Sequence, residues 1–339
     1  MNAPRTTGEV TRYQWLVLFV AWLGWVFDSM DSTIYALVLH PALHDLLSRG
    51  GTAPDAKAIA WYGGIIFSIF LIGWAVGGVV FGVLADRLGR TRTLIFTILI
   101  YAVFTGLAAL SQTWWQLAAY RFLTALGIGG EWAAGVALVA EVWPESLRAR
   151  AAGMLQSAWA AGFLIAATVS LLMRNLGWRP LFVVGVAPAA VAMLVRLWVR
   201  EPERWVQARE RAGAVKARIA DLFTPELRRA TWVGSGLAFV AVFGLWGATN
   251  WTPTLVRALP DVQGLGAPEQ TARVSYATML LNAGALFGYL SFGPLAERLG
   301  RRPAFAIMCV GSLVMLPLAF LVPHSYATVL LLLPLLGFF

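Results

Sequence analysis

The sequence predicts an all-helical protein that crosses a membrane many times and carries an internal duplication. Hydrophobic residues make up 59% of the 339 residues and charged residues only 13%, a composition too apolar for a soluble domain of this size. Apolar runs of about 20 residues, the length that crosses a bilayer, recur along the whole chain. One ten-residue segment also occurs twice, at positions 81–90 and 292–301. A repeat with this spacing indicates a duplicated architecture.

Nine complete membrane spans and the start of a tenth are predicted from apolar runs between charged or Gly- and Pro-rich breaks. The first run is too long for the core of a signal peptide and has no small-residue cleavage pattern, so we expect it to remain as the first span. The predicted spans are 13–39, 61–84, 93–110, 114–142, 151–173, 181–199, 231–252, 274–295 and 304–322, with a tenth from about residue 326.

The basic residues predict how these spans are oriented. With the N-terminus in the cytoplasm, nineteen of the 26 Lys and Arg residues fall on the cytoplasmic side and six on the outside. This bias is typical of proteins of the inner (cell) membrane. Orientation in the lipid bilayer therefore explains the formal charge of +9, and we expect no nucleic-acid partner. The basic segment 200–229 is predicted to be a cytoplasmic linker.

Several chemical classes of function lack support in the sequence. The single cysteine, Cys309, excludes a disulfide framework or a thiolate metal cluster within the chain. No nucleotide-binding loop, Ser/His/Asp set or His-Glu-x-x-His pattern is present. We therefore expect neither an enzyme nor a bound cofactor or metal.

The duplicated segment carries the first resemblance to a known family. Its two copies are Phe81-Gly82-Val83-Leu84-Ala85-Asp86-Arg87-Leu88-Gly89-Arg90 and Phe292-Gly293-Pro294-Leu295-Ala296-Glu297-Arg298-Leu299-Gly300-Arg301. Glycines one and two turns earlier align as well: Gly73 and Gly77 with Gly284 and Gly288. A charged turn of this kind between apolar helices resembles the signature loop of the major facilitator superfamily, in which two six-helix halves are parallel repeats.

The resemblance implies a domain organisation. Residues 1–199 correspond to a first six-helix half, 200–229 to the linker and 230–339 to an incomplete second half with helices seven to nine and part of the tenth. The repeat offset places the expected end of a complete second half at about residue 410. A fragment or a truncated gene product is therefore expected.

Four charged residues inside predicted spans are candidates for proton coupling: Asp28, Asp31, Arg121 and Glu131. At 1.5 Å per residue, Asp31 lies about 27 Å above the cytoplasmic start of span one, and Arg121 about 31 Å above the cytoplasmic end of span four. The two side chains can therefore meet. Arginine beside a buried aspartate keeps it charged, and loosening the contact raises its proton affinity; the alternative is a static pair that fixes helix register.

The other two carboxyls leave more alternatives. Asp28, one turn below Asp31, is the alternative proton site. Glu131 could take a proton, bind a cationic group or hydrogen-bond to a neighbouring helix.

The fourth span sharpens the resemblance. Residues 120–132, Tyr-Arg-Phe-Leu-Thr-Ala-Leu-Gly-Ile-Gly-Gly-Glu-Trp, look like the fourth-helix pattern of proton symporters of the superfamily, and the Gly-Gly-Glu-Trp variant looks like the metabolite:proton and sialate/lactate branches. Asp28-x-x-Asp31 is similar to the aromatic-acid:proton branch, and Asp31 matches the proton-site aspartate of sugar porters. The resemblance implies proton symport of a small carboxylate, with Arg121 or a helix end contacting the anion.

Other motifs resemble sugar porters, so a sugar or polyol carrier is the alternative transport function. These motifs are Glu141-x6-Arg148 and Arg200-Glu201-Pro202-Glu203. By the same resemblance, Asp86 braces the eleventh helix and Glu297 braces the fifth helix, whereas the plainer alternative is a solvated interfacial belt of charges. The predicted cytoplasmic gate comprises Gly82, Asp86, Arg87, Gly89, Arg90, Glu141, Arg148, Glu201, Glu203, Gly293, Glu297 and Arg301.

Polar groups on apolar, inward-facing stretches are the predicted contacts of a small-molecule substrate. Amides in spans can equally hold helices together. Because helices of the second half are missing, a non-transporting membrane module is the alternative of a different class. We expect a monomer, with the substrate-binding candidates Tyr35, Arg121, Gln156, Asn250, Trp251 and Asn282.

Overall fold

A computed structural model describes residues 10–49, 54–188, 190, 195, 198–201, 206, 219–249, 251–322 and 325–339. All regular secondary structure in these residues is helical, which confirms the predicted all-helical class. Seven of the described helices are long and apolar enough to cross a membrane. The helices are α1 (Arg12–Ser48), α2 (Ala56–Leu88), α3 (Arg90–Ala108), α4 (Trp114–Val142), α5 (Arg148–Leu172), α6 (Arg179–Val184), α7 (Arg228–Thr249), α8 (Thr252–Ala258), α9 (Pro260–Gln263), α10 (Ala267–Leu299), α11 (Arg301–Leu321) and α12 (Tyr326–Phe338).

The helices follow the predicted spans, but several continue beyond them. Helix α4 begins and ends where the fourth span was predicted, whereas α1 continues through Pro41 to Ser48. Apolar runs stop at the first polar residues, while helical hydrogen bonds continue into them. Seven of the nineteen residues of the predicted sixth span lie outside the described residues, so the total of nine spans and a partial tenth stays a prediction.

Close contacts between helices repeat in the two copies of the duplication. A Cβ atom at Gly77 of α2 would collide with the backbone of Leu126 in α4, and one at the aligned Gly288 of α10 would collide with the backbone of Phe338 in α12. A Cβ atom at either glycine of the other aligned pair, Gly73 and Gly284, would collide with the carbonyl group of Phe122 or Pro334. Absent side chains at these positions let backbones approach closely, and the same pair of elements is joined in each copy.

The bundle has two ends, which we name by the start of α1. At the near end, the Gln14 side chain of α1 donates to the Val142 carbonyl of α4 at 3.0 Å, and the Trp143 indole donates to the Gln14 carbonyl at 3.1 Å. At the far end, Arg179 joins Asp45 of α1 to the Ser111 carbonyl that follows α3. Helices α1 and α4 therefore run antiparallel with their ends aligned.

The apolar core differs between these ends. The far-end core contains buried residues of the amino-terminal bundle (α1–α6) and of the carboxy-terminal bundle (α8–α12), such as Val38 and Val262. The near-end core consists of buried residues of the amino-terminal part, and Tyr289 of α10 packs against it. Within the described residues, the two bundles are thus joined by a shared core only at the far end.

Candidate functional site

The centre of the amino-terminal bundle holds an ion pair between α1 and α4. Nη1 of Arg121 lies 2.7 Å from Oδ2 of Asp31, and both side chains are at most 1% exposed. The other Asp31 oxygen accepts a hydrogen bond from the Thr105 hydroxyl of α3 at 2.8 Å. Asp31 is therefore held as a fully buried, doubly bonded carboxylate, and the structure brings together the two residues that depth counting placed at one level.

Arg121 has a second, unused binding edge. Its guanidinium lies 4.7 Å from the ring centre of Phe70, 5.0 Å from that of Tyr35 and 5.9 Å from that of Phe182. Its Nε and Nη2 atoms have no hydrogen-bond partner among the described residues. These two atoms form the side-on fork that binds a carboxylate through two parallel hydrogen bonds. The site can hold Asp31 and a second anion on different edges of one guanidinium.

A second acidic pair connects the same two helices. Asp28 of α1 is hydrogen-bonded to Glu131 of α4, and the two residues are 3% and 1% exposed. Each carboxyl keeps one oxygen, Oδ1 of Asp28 and Oε2 of Glu131, that has no hydrogen-bond partner in the described part of the chain. Glu131 also lies against Gly24, where a Cβ atom would collide with Oε1. All four candidate proton-coupling residues therefore lie along the contact of α1 with α4.

The predicted substrate contacts are more scattered. The Tyr35 hydroxyl donates to the Gly63 carbonyl at 3.3 Å while its ring faces Arg121. The amide of Asn282 donates to the Thr278 carbonyl of its own helix at 2.9 Å. Trp251 precedes α8, and Asn250 lies outside the described residues.

Gln156 is the predicted substrate contact that bridges the two bundles. It lies on α5 and forms a hydrogen bond with the Tyr289 side chain of α10. Because α10 packs along α5, Gln156 lies at the boundary between the two bundles, where a rocking movement would change its contacts.

The predicted gate forms a charged cluster at the near end. Arg90, at the start of α3, lies 2.5 Å from Asp86 and 3.0 Å from Glu141. Glu141 thus pairs with Arg90, and the Nε atom of Arg148 has no hydrogen-bond partner within the residues that the structure describes. Partly exposed pairs of this kind are weak enough to separate during a conformational change.

Glu201 has a different part in this cluster. Its carboxylate accepts the backbone N–H groups of Thr91 and Arg92, each at 3.2 Å, and so satisfies the free donors at the start of α3. Gly89 has a φ of 113°, and a Cβ atom there would collide with the Glu201 carboxylate. Glycine is therefore required for both the conformation and the space.

The other predicted gate residues make fewer defined contacts. Arg87 is exposed in the last turn of α2, a Cβ atom at Gly82 would be in ordinary contact with Ala133, and one at Gly293 would meet no neighbour. Glu203 and the side chains of Glu297 and Arg301 lie outside the described residues. The predicted contact of Glu297 with α5 remains a prediction.

Two far-end contacts were not predicted from the sequence. Asp45 accepts hydrogen bonds from Arg179 at 2.8 Å and from the Trp178 indole at 3.2 Å. Arg257 of α8 donates to the Leu37 carbonyl of α1 at 3.3 Å and so links the two bundles. Burial lowers the pKa of Arg257 to about 10. The contact of Asp45 with Arg179 could have been predicted from the sequence, because the two residues carry opposite charges in segments predicted to lie on the same, outer side of the membrane.

The sequence also gave little indication of the groups around Arg121. Thr105, Phe70 and Phe182 lie in apolar stretches, and aromatic residues make up 13% of the chain, too many to single out two rings. Among the described residues, no group of three or more His, Cys, Asp or Glu side chains could hold a metal ion.

Residues 17–339 match the family model of the Major Facilitator Superfamily. The chain belongs to this superfamily. It is a multi-pass membrane transporter with a small-molecule substrate, and the prediction that it is not an enzyme is confirmed.

Several characterised proteins of the superfamily are similar to the chain. The sialic acid transporter NanX of Escherichia coli is 29% identical over 92% of this chain and 73% of that protein. The cis,cis-muconate transport protein of Acinetobacter baylyi is 32% identical over 75% of this chain and 62% of that protein. The solved structure of the proton:xylose symporter XylE with 6-bromo-6-deoxy-D-glucose superposes with a TM-score of 0.72 at 17% identity, covering 96% of this chain and 78% of XylE. At this identity the likeness to XylE shows the fold alone.

Proposed function

We propose that this transporter, acting as a monomer in the inner membrane, carries a small organic acid together with a proton. The observation that carries the proposal is the arrangement of Arg121. One guanidinium nitrogen is bonded to Asp31, while the Nε and Nη2 atoms have no partner in the part of the chain that the structure describes, and the guanidinium lies among three aromatic rings. A buried bidentate edge fits a carboxylate, and the rings fit an apolar or unsaturated acid body.

Coupling follows from the shared guanidinium. A substrate carboxylate on the free edge takes part of the charge of Arg121 and weakens its hold on Asp31. A buried aspartate with a weaker counter-charge binds a proton more tightly. Substrate binding therefore promotes proton binding, and the proton promotes substrate binding by the same free energy.

The relatives support the proposed class of substrate. Sialic acid and cis,cis-muconate, which the names of two similar transporters give as their substrates, are organic acids, and so is niacin, the substrate named for a transporter that is 30% identical over 326 residues. In the proposed orientation the near end faces the cytoplasm and the far end faces outside. The two bundles then rock about the central pair, and the near-end cluster of Arg90, Asp86 and Glu141 closes the cytoplasmic side.

The substitution Asp31→Asn tests the proposal in reconstituted vesicles. We expect accumulation of labelled benzoate or sialate driven by a pH gradient to fall by about tenfold or more, because the amide cannot carry the proton. Exchange of labelled for unlabelled acid moves no net protons and should remain measurable. Asp55→Asn is the matched control, because asparagine keeps the hydrogen bond that Asp55 makes at the start of α2.

Two results would contradict the proposal. Undiminished pH-driven accumulation by the Asp31→Asn variant would exclude Asp31 as the coupling site. Uptake of xylose, with none of lactate, sialate or benzoate competing, would exclude the organic acid and favour the sugar carrier.

A further inference from the structure

The contact between Asp28 and Glu131 requires a proton of its own. An ionised carboxylate only accepts hydrogen bonds, so two carboxyls can be hydrogen-bonded to each other only when at least one is protonated. Both side chains are buried, and within the described residues no cationic side chain is among the groups that act on either of them. Two adjacent buried negative charges without a cation are strongly disfavoured. The pair therefore holds one proton or two.

The pair lies between the Asp31–Arg121 ion pair and the near end. Asp28 is three residues, about 4.5 Å, closer to the start of α1 than Asp31 is. Glu131 is ten residues beyond Arg121 in α4, which runs antiparallel to α1. The backbone of Glu131 therefore lies closer to the near end than that of Arg121. Side chains of a helix lean towards its N-terminus, which in α4 is at the far end, so the Glu131 side chain leans back towards the level of Asp28. The space over Gly24, which has no side chain, lets it reach Asp28.

Tyr101 of α3 interacts with both sites. Its side chain is fully buried, its hydroxyl has no hydrogen-bond partner among the described residues, and it interacts electrostatically with Glu131, Asp28 and Asp31. A phenol can both donate and accept a hydrogen bond. Its hydroxyl can therefore pass a proton between the two sites when side-chain movement brings it within hydrogen-bond distance of their carboxyls.

We propose that Asp28 and Glu131 form a second proton-binding site, which receives the transported proton from Asp31 and passes it towards the near end. The inference rests on the proposed proton coupling at Asp31. Protonated Asp31 gives its proton to the anionic oxygen of the Asp28–Glu131 pair, directly or through the Tyr101 hydroxyl, which takes one proton and gives up its own. Asp31 becomes a carboxylate and pairs with Arg121, while the acidic pair goes from one proton to two.

The pair then releases one proton towards the near end and returns to a single shared proton. Its charge changes from −1 to neutral and back, so the cycle balances. In the structure, Asp31 is already paired with Arg121, the hydrogen bond of the acidic pair is formed, and the far end is closed. This combination corresponds to the stage after the proton has left Asp31.

Infrared spectroscopy of the full chain tests for the shared proton. We expect the wild type at neutral pH to show the carbonyl band of a buried protonated carboxyl. Either Glu131→Gln or Asp28→Asn alone should abolish this band, because the new amide donates to the remaining carboxylate and no shared proton is needed. Persistence of the band in both variants would overturn the inference. Glu269→Gln, which removes an exposed carboxylate, should leave the band unchanged.

Transport separates this inference from the function on which it rests. For Glu131→Gln we expect accumulation of labelled benzoate or sialate driven by a pH gradient to fall by about tenfold or more. Exchange should stay close to that of the wild type, whereas a merely structural role would lower exchange as well. Accumulation at the wild-type level by Glu131→Gln, together with its loss in Asp31→Asn, would contradict the second site alone. Wild-type accumulation by Asp31→Asn would contradict the proposed function itself.

Discussion

At the scale of single residues, the geometry of Arg121 should matter more than its charge. Arg121→Lys keeps a cation that can pair with Asp31, but an ammonium group has no bidentate edge and stacks less well on Phe70 and Tyr35. A hydrogen bond to a charged group contributes about 1.5–3 kcal/mol, so we expect the KM for the transported acid to rise by about tenfold or more. Transport kinetics in vesicles measure this change.

The control for this variant is Arg273→Lys. Arg273 also has a carboxylate partner, Glu269, and lies 4.8 Å from the ring of Tyr326, but it is far from the central pair. Equal KM values for Arg121→Lys and the wild type would show that the free edge does not bind substrate.

A contact between two residues could be predicted from the sequence where it depends only on the height of each residue along its helix. Counting 1.5 Å per residue from the ends of two antiparallel helices was enough to place Asp31 beside Arg121. The contact of Asp28 with Glu131 also depends on the rotation of α4, on the lean of a side chain and on the space over Gly24. Those are properties of packing, and the spacing of charges in the sequence does not contain them.

At the scale of helices, the duplicated glycines should fix how closely pairs of helices pack. A Cβ atom at Gly77 would collide with backbone atoms of Leu126, whereas one at the adjacent Gly78 would lie 3.7 Å from the Gly129 carbonyl, in ordinary contact. Forcing extra volume into a packed contact costs about 1–3 kcal/mol. We therefore expect Gly77→Ala to lower the apparent Tm of the purified protein, and Gly78→Ala to leave it almost unchanged.

Tryptophan fluorescence on heating measures both variants, because the chain has 16 tryptophans. A similar Tm for the two variants would mean that α2 and α4 can separate at Gly77 without loss of stability.

Helices and their pairing were largely predictable, and their ends less so. The apolar run predicted the bounds of α4, and the repeat predicted the matching contacts of Gly77 and Gly288. The start of α3 could not be predicted in the same way, because the Glu201 carboxylate that caps it is more than a hundred residues away in the sequence. Local sequence shows that a helix end needs a cap but does not show which distant group provides it.

At the scale of the whole molecule, the sequence predicted the duplication but not which end is closed. A rocking transporter must be able to adopt both arrangements, whose free energies differ by only a few kcal/mol, so one sequence encodes both. The shared far-end core, which contains Val38 and Val262, shows the far end closed. The free-energy difference between the two arrangements is set by the groups that are buried only when the far end is closed.

Arg257 is such a group, and we expect it to oppose closure of the far end. Its hydrogen bond to the Leu37 carbonyl favours closure, but its Nε has no partner among the described residues, and burial lowers its pKa to about 10. This lowering of the pKa corresponds to about 3 kcal/mol against the charged form. One hydrogen bond to a charged group contributes about 1.5–3 kcal/mol, so we expect the loss of hydration to outweigh the bond to Leu37.

Arg257→Met should therefore stabilise the closed far end, because methionine fills similar space without a charge to dehydrate. Val262→Cys, in a Cys309→Ser background, provides a thiol in the far-end core that a membrane-impermeant maleimide reaches only when that end opens. We expect Arg257→Met to slow this labelling by about tenfold or more, and Lys57→Met, which removes an exposed far-end cation, to have little effect. Faster labelling would mean that the bond to Leu37 dominates, and labelling from the cytoplasmic face alone would contradict the proposed orientation.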